Sequence, residues 1–136
     1  MKSAMGLFIM MTLGSVVALS APHPIASVTS PAEKEVTINI ADAYIPGGFD
    51  STSDAYVVLN GLFPNSCYKW SRAEVTNQAN NIHEVRSIAS VSQGMCLMVI
   101  VPFTKEVRLG QLASGAHKIR FISGDGTYLE KDITIE

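Results

Sequence analysis

Behind residue 34 no stretch sustains helical spacing. Short segments of alternating or continuous apolar residues follow one another instead, each closed by glycine, proline, asparagine or serine. That rhythm leaves little choice beyond a sheet-built body. Val36, Ile38 and Ile40 alternate with Glu35, Thr37 and Asn39, as in a half-buried strand. Asp54–Asn60, Cys67–Thr76, Ile82–Val91, Met95–Val101, Glu106–Leu109, His117–Ile122 and Tyr128–Ile135 read as the remaining strands. Met95–Val101 (MCLMVIV) is apolar on both parities, which places it at the centre of a sheet, with Pro102 ending it. In Cys67–Thr76 the two halves disagree in phase: a bulge near Ser71 would reconcile them, or Trp70 lies on the outer face. Ser123–Gly126 (SGDG) predicts a tight hairpin. Seven or eight short strands over about 100 residues, with turns every 8–12, predict a single antiparallel β-sandwich; a closed barrel would differ in pairing the first strand with the last.

The chain's first residues predict its destination. Lys2 precedes an apolar run from Ala4 through Leu19 that stops at Ser20-Ala21-Pro22. This is the layout of a cleaved secretory signal peptide, shorter than the roughly 20 residues a spanning helix needs. Residues 1–20 are expected to be the signal peptide, cut after Ser20 or, nearly as well, after Ala18; 21–34 are expected to be a flexible arm holding three prolines, and 35–136 the sandwich. Removing the leader takes away one of the ten basic residues and none of the twelve acidic ones. The remaining lysines and arginines are scattered singly. Neither nucleic acid nor an electrostatically held membrane surface is expected as a partner, and no stable membrane anchor. The expected locale is periplasmic or extracellular.

Cys67 and Cys96 stand alone. In an exported domain two cysteines most simply form one disulfide, and a bridge of this span stabilises by roughly 3–4 kcal/mol. A metal thiolate or a reactive thiol has no support, since no C-x-x-C occurs and no histidine is near either cysteine in sequence.

Val107–Phe121 (VRLGQLASGAHKIRF) resembles the passage between the fifth and sixth strands of fibronectin type III and related immunoglobulin-like sandwiches. Tyr44–Asp50 (YIPGGFD), Phe63–Tyr68 (FPNSCY) and Gly94–Leu112 resemble small exported bacterial β-sandwich proteins. The resemblance implies an immunoglobulin-like fold and an extracytoplasmic address, and no chemistry. It puts the cysteines on strands C and D of such a sandwich, whereas antibody domains bridge strands B and F.

No catalytic constellation emerges, so the chain is expected not to be an enzyme. G-x-S-x-G is missing, no triad order is plausible, and phosphate-loop and dinucleotide fingerprints are absent. No cofactor is expected. His83 and His117 could meet at one end of the sandwich, with Glu84 nearby, and are the weak metal candidates; rim histidines at strand starts are the plainer reading. Met95 and Met98 are read as core filler. The best candidate contact surface is the loop carrying Tyr44, Ile45, Pro46 and Phe49, since aromatic side chains on a turn suit recognition. The alternative is that this loop folds back and plugs the sandwich. Trp70 is a second candidate. The expected function is a non-catalytic binding module for a protein or glycan, monomeric or weakly oligomeric. The alternatives are an inhibitor of an extracellular enzyme acting through residues 44–49, or a metal- or small-ligand-binding protein.

Overall fold

The computed structural model describes residues 32–136, so the expected signal peptide and most of the expected arm lie outside the described residues. Eight strands form two sheets: β1 Glu33–Ile38, β2 Asp42–Tyr44, β3 Ala55–Phe63, β4 Tyr68–Asn77, β5 Ile82–Ser92, β6 Val101–Gly110, β7 Gly115–Ile122 and β8 Tyr128–Ile135. The smaller sheet runs β2-β3-β6. In the larger sheet β5 is central. β4 lies along one side of it, and the other side is shared by β1, opposite Ser87–Ser92, and β7, opposite Ile82–Arg86. β8 closes that sheet beyond β7. The first strand pairs with β5 and the last with β7, so the body is an open sandwich and not a closed barrel. No helix among the described residues is long and apolar enough to cross a membrane.

Period-two burial makes the core. Ala55, Val57 and Leu59 of β3 face inward against Val85, Ile119, Phe121, Ile133 and Ile135 of the larger sheet. A second cluster at the other end gathers Ile38, Phe63, Ala89 and Phe103. The phase conflict in β4 resolves through a bulge: the register shifts between Trp70 and Arg72, leaving Ser71 unpaired. Trp70, Ala73 and Val75 therefore all lean on the core. The Ser123–Gly126 hairpin forms, with Gly126 at φ 86° and its N–H donating to Ser123 O at 3.0 Å.

Five expectations need correction. The Met95–Ile100 segment belongs to neither sheet; β5 holds the central position, and only Val101 begins a strand. Pro102 does not end a strand but stands second in β6, an edge strand where a missing N–H costs little. The strand expected from Glu106 thus starts earlier, and the short β2 was hidden in what reads as loop. Lastly, the sandwich is not wholly antiparallel. An immunoglobulin-type sheet sets its third strand beside its sixth, whereas here β5 lies between β4 and β7 and runs parallel to β7. The chain leaves β5, returns along β6 in the other sheet, and re-enters as β7 in its original direction. Such a crossover yields parallel neighbours.

Candidate apolar contact surface

The crossing from β5 to β6 produces the most unusual surface of the domain. Gly94 turns the chain outward, and five of the next six side chains are left in solvent: Met95 fully, Leu97 71%, Met98 82%, Val99 52% and Ile100 68% exposed. Soluble domains scatter exposed apolar residues singly; a continuous run signals contact. The loop is held where it is. Cys96 is bridged to Cys67, the residue before β4, with Cα atoms 5.3 Å apart. Ser66 reinforces the bridge from both directions: its Oγ accepts the Leu97 N–H at 2.8 Å, and its own N–H donates to Leu97 O at 3.0 Å. The Ser92 N–H donates to Cys67 O at 3.0 Å, tying the end of β5 to the same turn.

The ground beneath is aromatic and rigid. Phe63 stacks on Phe103 with centroids 4.5 Å apart, Tyr68 on Phe63 at 5.9 Å, and Trp70 leans on Phe103 at 5.8 Å. Gly61, directly across from Phe103, makes this possible: a Cβ there would lie 2.3 Å from the ring's Cζ. Beside the loop, Leu62 is 59% exposed. It borders an open cleft of about 300 Å³ lined also by Val36, Ile38, Phe63, Pro64 and Tyr68. The sequence carries no charge from Ile88 through Thr104, nor from Asn60 through Tyr68. Lys34, opposite Val91, and Lys69, opposite Ser90, are the nearest cations along the strands, and neither makes an ion pair among the described residues.

The residues singled out by sequence lie elsewhere. Tyr44 is exposed, Ile45 and Pro46 are half-buried, and Phe49 is buried. Gly48, at φ 83°, turns the chain so that the Phe49 ring drops edge-on against Tyr56 at 5.4 Å. Phe49 O accepts the Glu136 N–H at 2.9 Å, and Ile45 packs on the main core. Only Tyr44 offers a free ring there. The turn is fixed by Asp50, whose carboxylate accepts from Thr52 N–H, Thr52 Oγ1 and Ser53 Oγ and is held down at about 2. Trp70 is half-buried between the two clusters. Cys67 and Cys96 are joined, but in a turn and a loop instead of on strands.

His83 and His117 do meet, at the end opposite the apolar loop, with His83 Nε2 2.9 Å from His117 Nδ1. His117 Nε2 lies 2.6 Å from Ala113 O, which can only accept, so this nitrogen carries a proton. Nδ1 of the neutral ring must then accept from His83 Nε2–H. His83 Nδ1 lies 2.6 Å from Asn77 Oδ1; with that side-chain amide turned over, the neutral ring accepts its N–H instead. Every ring nitrogen is engaged, and Glu84 points to the other side of β5. Among the described residues no three potential metal ligands converge.

Burial, and next the proximity of His117, lowers the His83 pKa below its ordinary 6.5. The unfolded chain therefore takes up this proton at higher pH than the folded one. Between the two values unfolding binds a proton, so stability rises with pH there. The contribution is complete above about pH 7 and is lost as pH falls from 6.5 toward the folded value. Melting temperature should thus decline between about pH 7 and 5, and the His83→Gln variant should show a shallower decline. Equal slopes would remove His83 as the cause. The depressed carboxylates Glu35, Asp42, Asp50, Asp125 and Glu130 act separately: their contribution is present above about pH 4.5 and fails below it, as each takes up its proton.

No curated protein and no solved structure matches the chain. The model of the ORF11 beta-sandwich domain matches residues 57–135, from the middle of β3 to the end of β8. That span holds β4 to β8, both cysteines and the exposed apolar loop, and covers more than half of the chain. Two packed sheets with a buried seam agree with the family's description, and the chain belongs to the ORF11 beta-sandwich domain family.

Proposed function

We propose that this protein is an exported, non-catalytic binding module whose contact surface is the disulfide-pinned end of the sandwich. The observation that carries the reading is the run of exposed apolar side chains from Met95 to Ile100, fixed to a rigid turn by Cys67–Cys96 and Ser66. Burying five such side chains offers a gross gain of about 5–10 kcal/mol before the costs of association. Holding the loop in advance reduces the ordering cost of binding. A disulfide in a small domain supports work outside the cytosol, as do the leader-like first twenty residues. The Tyr44–Phe49 wedge has less support, because Phe49 is committed to the core.

Photo-crosslinking in cells tests this directly. A benzophenone side chain at position 98 should form adducts in quantity, and the same group at position 44 or 125 should form few. If position 44 labels strongly and position 98 stays silent, the contact surface lies on the other loop and this reading falls.

A further inference from the structure

We infer that the occupant of this surface is a lipid bilayer, into whose interface the Met95–Ile100 loop inserts; the inference rests on the binding reading above. A protein partner covers one face, yet here consecutive residues Leu97, Met98, Val99 and Ile100 are all exposed, so side chains leave the loop in more than one direction. A fluid acyl phase surrounds such a finger without needing a matching pocket. The tip is uncharged over both segments that build it, Asn60–Tyr68 and Ile88–Thr104. Lys34 and Lys69 stand one to two residues behind Ser92 on adjacent strands, about 3–7 Å back at the rise of a β-strand. Lysines at that height, with no ion pair among the described residues, reach lipid phosphates while the apolar tip sits below them. Glu33, opposite Ser92, offsets part of this charge, its carboxylate being occupied by the Ser90 hydroxyl at 2.7 Å. Attachment is therefore chiefly apolar, with the lysines orienting it.

Backbone polar groups cannot enter the acyl core unsatisfied. Leu97 exchanges both of its backbone bonds with Ser66, whereas the chain from Met98 to Ile100 lies outside both sheets. Insertion thus stops at the interface, about 5–10 Å deep, giving reversible attachment and not an anchor.

The test uses the protein as cells process it, so that any other apolar segment is common to all variants. Partition of a Met98→Glu, Ile100→Glu double variant into phosphatidylcholine vesicles should fall at least about tenfold against the parent. Both positions are in solvent, and an unchanged melting temperature would show that the fold persists. A Met98→Trp variant adds a second indole to Trp70; phosphatidylcholine brominated in the upper acyl chain should quench its added emission more than lipid brominated near the chain end. Equal partition of parent and double variant would overturn the inference, as would no quenching beyond that of Trp70. Binding that requires phosphatidylglycerol and vanishes in about 0.5 M salt would also overturn it, since that is adsorption by charge alone. So would a sedimenting dimer that the double variant dissolves, because a second copy would then be the occupant. Protein adducts at position 98 without vesicle quenching would defeat the lipid inference alone, and silence at position 98 would defeat the binding reading with it.

Discussion

Removing the Cys67–Cys96 bridge, by Cys67→Ala with Cys96→Ala or by reduction, is expected to lower the melting temperature by roughly 10–30 °C. The bridge closes a loop of sequence separation 29. Releasing it restores unfolded-state freedom worth about 3–4 kcal/mol in the chain-entropy account. Net stability of such a domain is about 5–15 kcal/mol, so much of the margin goes with it. The native structure loses comparatively little else. Cys67 is buried, and alanine there avoids stranding a hydroxyl in an apolar site. Most of β4 and β5 remain paired whether or not the bridge exists. What does change is the loop. Its remaining ties are the two Ser66–Leu97 bonds, each worth about 1 kcal/mol. The Leu97 amide should therefore exchange with solvent deuterium much faster in the alanine pair. A melting temperature within a few degrees of the parent, or unchanged exchange at Leu97, would show that the strands and not the bridge hold the apolar loop in place.

How far the sequence revealed this arrangement depended on which physical rule governed each segment. Where one face of a strand is buried and the other wet, alternation reports it, and β3, β7 and β8 are legible on that ground alone. The bulge at Ser71 was readable too, because two apolar pairs of opposite parity on one strand leave few other solutions. Met95–Ile100 misleads for an equally physical reason. An apolar run records only that water is disfavoured, and the same composition serves a buried strand or a surface awaiting a partner. Two cues pointed outward: Pro102, suited to an edge strand, and Cys96, whose bridging partner Cys67 lies in the turn before β4. Phe49 misled in the reverse direction, since turn-forming residues say nothing of where an aromatic ring returns. The order of β4, β5 and β7 was beyond reach, because strand patterns carry no record of which neighbour each edge finds.

Phe121→Ala tests the seam between the two sheets and should cost about 3–5 kcal/mol, the largest effect of any single substitution proposed. Phe121 is 2% exposed and among the largest fully buried side chains. It stands in β7 beside Val85 on the parallel side and Leu129 on the antiparallel side, so neighbours on both flanks define its space. Inward, it joins Val57 and Leu59 of the opposing sheet in one cluster with Ile119 and Ile133. Truncation removes the transfer gain of the ring and leaves a cavity that strands fixed by ladders on both sides cannot collapse to fill. Denaturant unfolding should show the midpoint falling with the slope unchanged, since the exposed area on unfolding barely differs. Phe121→Leu, which keeps most of the volume, should recover more than half of the loss. Tyr44→Ala, with its ring in solvent, should change the unfolding free energy by no more than about 0.5 kcal/mol. A Phe121→Ala loss under about 1 kcal/mol would mean that β7 does not face β3 across a packed interior. The parallel β5–β7 pairing would then be the element to abandon first, because that pairing alone joins β7 and β8 to the rest of the larger sheet.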